Sequence, residues 1–390
     1  MPTIRLDRTG HVLAAGLLAS LLPAVARADI VLSSNDGHTV VDNKGTLIAP
    51  PKPMPDTVSI IDVSQYPPKI KDTIEVPGSV VGPPMAVWVA PDESWAVVTS
   101  ATKADPQGPN GISPDDRVSV LDLTTSPPKI VQSLTSGIGA TMVRLSPDGA
   151  LALIANRAEG TVSIFTVQNK RLTSAGKLDT GNKASLPSSI VFLHDGKTAL
   201  LTRSGDNMVN VLHIDGTKIT IDPRPITTGI SPYTMDINAA GTLASVSNMG
   251  RGDGDLDTVS LIELTKAPYH VVATVAVPSG PEPQKFSPDG KFLAVGSQEG
   301  TTKPHSPFHQ EQGHVTVFAV DGETLAKVAE APIGKWAEGL AFSRDGSTIM
   351  VQSMYERTIA VFRWDGRQLT VGTPLAIKDA GPESLGTAWP

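Results

Sequence analysis

The chain has 390 residues, a formal net charge of −7 and no cysteine, and aromatic residues make up 4% of it. The lack of cysteine excludes disulfides, thiolate metal sites, covalently attached c-type haem and cysteine nucleophiles. The acidic balance argues against bulk binding to nucleic acid or anionic lipid, and so few aromatics leave the core to Val, Ile, Leu and Ala.

Residues 1–28 read as a secretory signal. Arg5 and Arg8 give a basic start, HVLAAGLLASLLPAVA is apolar, and ARA before Asp29 is a small-x-small cleavage site. The apolar run is broken by Pro23 and too short for a stable anchor, and no other stretch could span a bilayer. A periplasmic or secreted protein is expected. Three arginines and one aspartate would leave with the signal, taking the net charge to about −9.

From Asp29 onward one phrase recurs, seen clearly in MVRLSPDGALALIANRAEGTVSIFTV (142–167). An alternating strand leads into a tight turn, a second strand follows, and a third opens after a short loop. The turns are APDES (90–94), SPDGA (146–150), LHDGK (193–197), NAAGT (238–242), SPDGK (287–291) and SRDGS (343–347). The second strands end in VVTS, LIAN, LLTR, SVSN, AVGS and MVQS. Third strands occur seven times: DTVSIIDV (56–63), DRVSVLDL (116–123), GTVSIFTV (160–167), NMVNVLHI (207–214), DTVSLIEL (257–264), GHVTVFAV (313–320) and RTIAVFRW (357–364). A fourth strand, such as KIVQSLT or HVVATVAV, follows most of them.

Four short strands per repeat predict propeller blades. One such sheet cannot cover its own faces, whereas radial packing against like neighbours covers both and closure removes the free ends. Six complete turns against seven third strands leave one blade short, and the chain ends resolve it. GPESLGTAW (381–389) matches GPEPQKFSP (280–288), which opens a blade, and DIVLSSND (29–36) matches a second strand. The expected fold is therefore all-β over residues 29–390: a seven-bladed propeller of four-stranded antiparallel blades. Its ring would be closed by the C-terminal strand in the first blade. The repeat with its LIAN and VVTS endings resembles the YVTN-repeat, lactonase-like propellers. That resemblance implies a small-molecule hydrolase or isomerase, although such propellers also include proteins of other roles.

Loop length singles out a working face, because insertions gather where function does. From the turn to the third strand the span is short in 149–162, 196–209 and 346–359. It is longer in 241–259 and longest in 93–118 and 290–315. The first blade carries a loop from Asn35 to Asp56. Aligning blades on their turns brings Glu282, Glu338 and Glu383 to one slot at the start of the inner strand. Met85, Thr141, Ser188 and Tyr233 hold that slot elsewhere. The three glutamates come from neighbouring blades and are the candidate acid-base groups, since clustered carboxylates raise one another's pKa. The competing role is capping of strand backbone.

The loops of the same face add Asn156, Arg157, Arg203, Asn248, Arg251 and Tyr355 as candidate substrate-binding groups, with the arginines suited to a carboxylate or an oxyanion. Arg157 and Arg203 are expected across the ring from the glutamates. The loop GTTKPHSPFHQEQGH (300–314) carries His305, His309 and His314 in no recognised metal pattern. The resemblance implies catalysis by His, Arg and Glu at the channel mouth without a metal, which adds His305 and His309 to the acid-base candidates. DGDLD (253–257) looks like part of a calcium loop but lacks the glycine and distal glutamate of an EF-hand. No metal or cofactor is expected, and no nucleic-acid partner. The expected ligand is a small anion or lactone, handled by a monomer. Two other readings stand: a non-catalytic propeller binding a periplasmic protein or polymer, and a structural subunit of a periplasmic redox enzyme.

Overall fold

The computed structural model describes residues 29–389; the expected signal, 1–28, lies outside the described residues. Seven blade sheets follow one another around an axis, six of four strands and the last of five because its outer edge is split into Leu369–Val371 and Leu375–Ala376. Among the described residues the only helical pieces are two 3₁₀ turns, Pro109–Gly111 and Lys183–Ser185. No helix among them is long and apolar enough to cross a membrane.

The third blade shows the pattern: inner strand Ala140–Leu145, second strand Leu151–Asn156, third strand Thr161–Gln168 and outer strand Arg171–Asp179, all antiparallel. Residues of the second strand are buried on both faces, which is why LALIAN carries little polar alternation. Outer strands face solvent on one side, and Lys69–Glu75 alternates exposed with half-buried positions along its whole length. The turns are tightened by a serine-aspartate clasp. Ser146 Oγ donates to Asp148 Oδ1 at 2.5 Å, Gly149 N–H donates to the Ser146 carbonyl at 2.8 Å, and Gly149 takes φ 70°. Glu93 holds the same place in the second blade with φ 58°, a conformation that glycine adopts without steric cost.

The ring closes as expected. Gly381–Thr387 lies antiparallel to Ile30–Asp36, which pairs on its other side with Thr57–Asp62. The first blade is thus made from both ends of the described chain. Leu385 and Trp389 are buried in a cluster with Val31, Ile61, Met350 and Val361, between the seventh blade and the first. The other large clusters also lie between adjacent blades. One, for example, joins Leu153 and Ile164 to Ile190 and Leu201. The core is therefore a set of wedges between blades, each removed from water when two like sheets pack.

Insertions lie on the face of the second-to-third loops. The first blade adds the hairpin Val40–Val41 with Leu47–Ile48, and the second adds Thr102–Ala104 with Ile112–Pro114. The two insertions touch, Ala49 N–H donating to the Asn110 carbonyl at 2.8 Å. The sixth-blade insertion leans on the fifth, with Lys303 Nζ donating to the Arg251 carbonyl and Ser306 Oγ to that of Asp253.

Candidate functional site

Glu282, Glu338 and Glu383 open the inner strands Pro281–Phe286, Ala337–Phe342 and Gly381–Thr387. Each is at most 3% exposed. Equivalent repeat positions lie on one circle about the axis, so three consecutive blades deliver three carboxyls to the channel mouth.

Their surroundings differ. Glu282 accepts a hydrogen bond from Gln298 Nε2 and is bonded to the Tyr233 hydroxyl. Burial pushes its pKa up to about 8, while Arg157, Gln298 and Tyr233 pull the other way. Glu338 has neither carboxyl oxygen in a hydrogen bond of normal geometry. Burial, then the charges of Glu282 and Glu383, hold it well above the ordinary range, and the Trp336 side chain opposes this in part. Glu383 has Oε1 buried without a partner. Burial raises it, the Ser34 hydroxyl opposes, and the Asp36 and Asp56 carboxylates raise it further. Gly78 is needed against this pair, because a Cβ there would meet Ser34 Oγ at 2.7 Å and Glu383 Oε1 at 3.2 Å.

Arg157 meets this arc. Its Nη1 donates to the Leu186 carbonyl at 3.2 Å and to the hydroxyls of Ser188 and of Ser204, the latter at 2.7 Å. The guanidinium lies 5.1 Å from the centre of the Tyr233 ring, and its charge favours ionised Glu282. The inner-strand slot thus brings Ser188, Tyr233 and Glu282 together around Arg157, with Glu338 next to Glu282 along the arc.

The other candidates stand apart from it. Arg203 is nearly buried, ion-paired with Asp206, and donates from Nη1 to Asn210 at 3.0 Å. Asn156 donates from Nδ2 to Thr161 Oγ1 and Ser163 Oγ, both at 2.9 Å, and accepts from Gly137 N–H at 3.0 Å. Asn248 donates likewise to Thr258 and Ser260, as does Asn35 to Thr57 and Ser59. All of these side chains stitch the end of a second strand to its own third strand, and Arg203 takes the asparagine's place in the fourth blade. Arg251 and His305 are exposed. His309 bonds the Gly300 carbonyl at 2.9 Å, and Tyr355 is 60% exposed with Lys335 Nζ 5.9 Å from its ring centre. In DGDLD, Asp257 accepts from Ser279 Oγ at 3.0 Å and Gly280 N–H at 2.8 Å, clasping the next blade.

Sequence reasoning missed the group beside Glu383. Asp36, His38 and Asp56 place their ligand-type atoms within 4.8 Å of one another. His38 Nδ1 lies 2.7 Å from Asp56 Oδ1 and 3.1 Å from Asp36 Oδ1, and Nε2 is 3.1 Å from Thr102 Oγ1. Burial pulls the imidazole down, but the Asp56 hydrogen bond and the two carboxylate charges outweigh it, and the net shift is upward. Burial likewise raises Asp36, against the pull of His38. Backbone N–H groups of His38, Thr39 and Val80 donate to Asp36 and that of Gly37 to Asp56, so both carboxylates are already well served. The one signal in the sequence was Asp56 opening a third strand as Asp257 does; nothing marked His38.

No protein-family model and no curated protein matches the chain. Solved structures do resemble it. A candidate 6-phosphogluconolactonase from Bacteroides fragilis aligns with a TM-score of 0.67 at 15% identity, over 93% of this chain and 99% of that one. A periplasmic gluconolactonase from Pseudomonas aeruginosa aligns at 0.66 and 17%, over 91% and 98%. A functionally unknown protein from Desulfotomaculum acetoxidans aligns at 0.67 and 16%, over 93% and 99%. These likenesses show the propeller fold, and lactonase-type propellers are among the neighbours.

Proposed function

We propose that the protein is an exported, YVTN-repeat, lactonase-like propeller. It would hydrolyse or isomerise a lactone or small carboxylate of the sugar-acid kind, with its own side chains as acid and base. One observation carries the reading: three buried carboxyls, two of them with unpartnered oxygens, share the channel mouth with an arginine that faces one of them. The names of the gluconolactonase and 6-phosphogluconolactonase neighbours supply the substrate class.

In this reading Arg157 binds the carbonyl oxygen of the lactone and the charge that develops on it. Glu282, once ionised, takes a proton from water as the water oxygen attacks the carbonyl carbon. The ring C–O bond then breaks, and the departing ring oxygen takes the proton of Glu338. Two carboxyls with different surroundings thus divide the base and acid roles. Gluconolactone turnover above the uncatalysed rate should rise with pH through about 8, where Glu282 ionises. Glu282→Gln should lower it by at least about 100-fold. No turnover across a panel of sugar lactones by folded protein removes the proposal.

The insertions favour a second reading, a non-catalytic propeller that captures a protein or polymer. They gather on the same face and contact one another. Deleting 300–312 should then abolish capture from a periplasmic extract while leaving the ring folded.

A further inference from the structure

The channel has a second end, on the face of the hairpin turns. A cavity of about 280 Å³ opens there, walled by inner strands of several blades and by the closing segment. Its body is apolar, with Trp88, Phe192, Leu340 and Trp389 among the lining side chains. Three charged groups line it: Arg144, Asp236 and Lys285.

Two of these cancel. Lys285 Nζ lies 3.0 Å from Asp236 Oδ1, and Asp236 Oδ2 accepts from Phe286 N–H at 2.8 Å. Arg144 is left over. Among the described residues it has no ion pair and no hydrogen bond, only the more distant field of Asp236. Its guanidinium is therefore an unneutralised fork of donors in a largely apolar hollow. Such a group is costly to desolvate unless something pairs with it. The nearest relief is a ligand that brings one negative charge and two acceptor oxygens in a plane.

We propose that this end of the channel is a binding site for a small organic monocarboxylate. Arg144 holds the carboxylate, and the walls of Trp88, Phe192 and Trp389 hold a flat apolar body. One net positive charge matches a monoanion and not a phosphate dianion. The cavity volume stands at the small end for ligand pockets, which limits the guest to about the size of a single ring. The site is separate from the glutamates: Glu282 and Lys285 stand at opposite ends of one inner strand, about 10 Å apart along it. It does not depend on the lactonase reading.

Benzoate and its neutral counterpart benzyl alcohol are suitable probes, titrated calorimetrically into the purified protein. Benzoate should bind at one site, with the alcohol at least about tenfold weaker, as expected for loss of a charge-assisted hydrogen bond. Arg144→Gln should abolish that preference, whereas Glu338→Gln should leave it intact. Should Arg144→Gln fail to fold, Arg144→Lys is read instead, with an expected loss of at least about threefold from losing the bidentate fork. No benzoate binding, equal binding of acid and alcohol, or a preference that survives the change at Arg144 overturns the proposal.

Discussion

Two repeat positions on one face of the ring invite comparison. At the end of the second strands stand Asn35, Asn156, Asn248 and Arg203; at the start of the inner strands stand Glu282, Glu338 and Glu383. All are buried or nearly so. The first set is committed to its own blades, as in the bonds from Asn156 to Thr161, Ser163 and Gly137. In the second set Glu338 has no normal hydrogen bond and Glu383 has one bare oxygen. Burial alone does not separate scaffold from candidate chemistry here. The degree of satisfaction does so for Glu338: Arg203 Nε and Asn248 Oδ1 also lack a partner, but those side chains bond through their other atoms, whereas both carboxyl oxygens of Glu338 are bare.

Removing residues 381–390 tests the comparison most severely. It deletes the strand that carries Glu383 and strips Ile30–Asp36 of its partner. Leu385 and Trp389 alone bury enough apolar area for a loss of more than about 5 kcal/mol when the strand ladder is included. A truncated chain that melts like its parent would show that the ring does not depend on this closure.

The unsatisfied position should be dispensable for folding and indispensable for turnover. Glu338→Gln is expected to lower lactone turnover by at least about 100-fold without lowering stability at neutral pH. The sign follows from linkage. A carboxyl whose folded pKa is raised stabilises fully below its unfolded value, and that contribution is lost as pH rises through the folded value. The parent should thus lose stability between about pH 5 and 8, where Glu282 ionises, and Glu282→Gln should flatten that slope in pH-dependent melting. An unchanged slope would mean that these carboxyls titrate normally.

The satisfied position should behave in the opposite way. Asn156→Ala leaves the Gly137 amide and the Ser163 hydroxyl without their partner, while Thr161 keeps its bond to Glu159, at a cost of about 2 kcal/mol by chemical denaturation. Its effect on the pH–rate profile should be nil, and a shifted profile would move Asn156 into the site. Smallest of all, His305→Ala and Tyr355→Ala should change stability by less than about 0.5 kcal/mol, because both side chains are exposed. A tenfold drop in turnover from either would bring the long loops into the chemistry.

The fold was legible because its signals are local and repeated. Alternating strands, glycine or its stand-in Glu93 at each turn, and the match of 381–389 to 280–288 specify blades and closure without knowledge of any distant contact. The glutamate slot was legible for the same reason: equivalent repeat positions must fall on one circle. What the sequence could not decide was where each side chain finds its partners. Arg157 follows the last residue of its second strand and Arg203 is the last residue of the next blade's, so the two look nearly alike along the chain. Yet Arg157 reaches Ser188, Ser204 and the field of Glu282, while Arg203 turns back onto Asp206 and Asn210. His38 is tied to Asp56 through an irregular insertion, and Arg144 is left unpaired because Lys285 claims Asp236. Periodicity determines the position of a backbone on the ring. Only the packed structure decides which polar groups neutralise one another, because that depends on loops that follow no period.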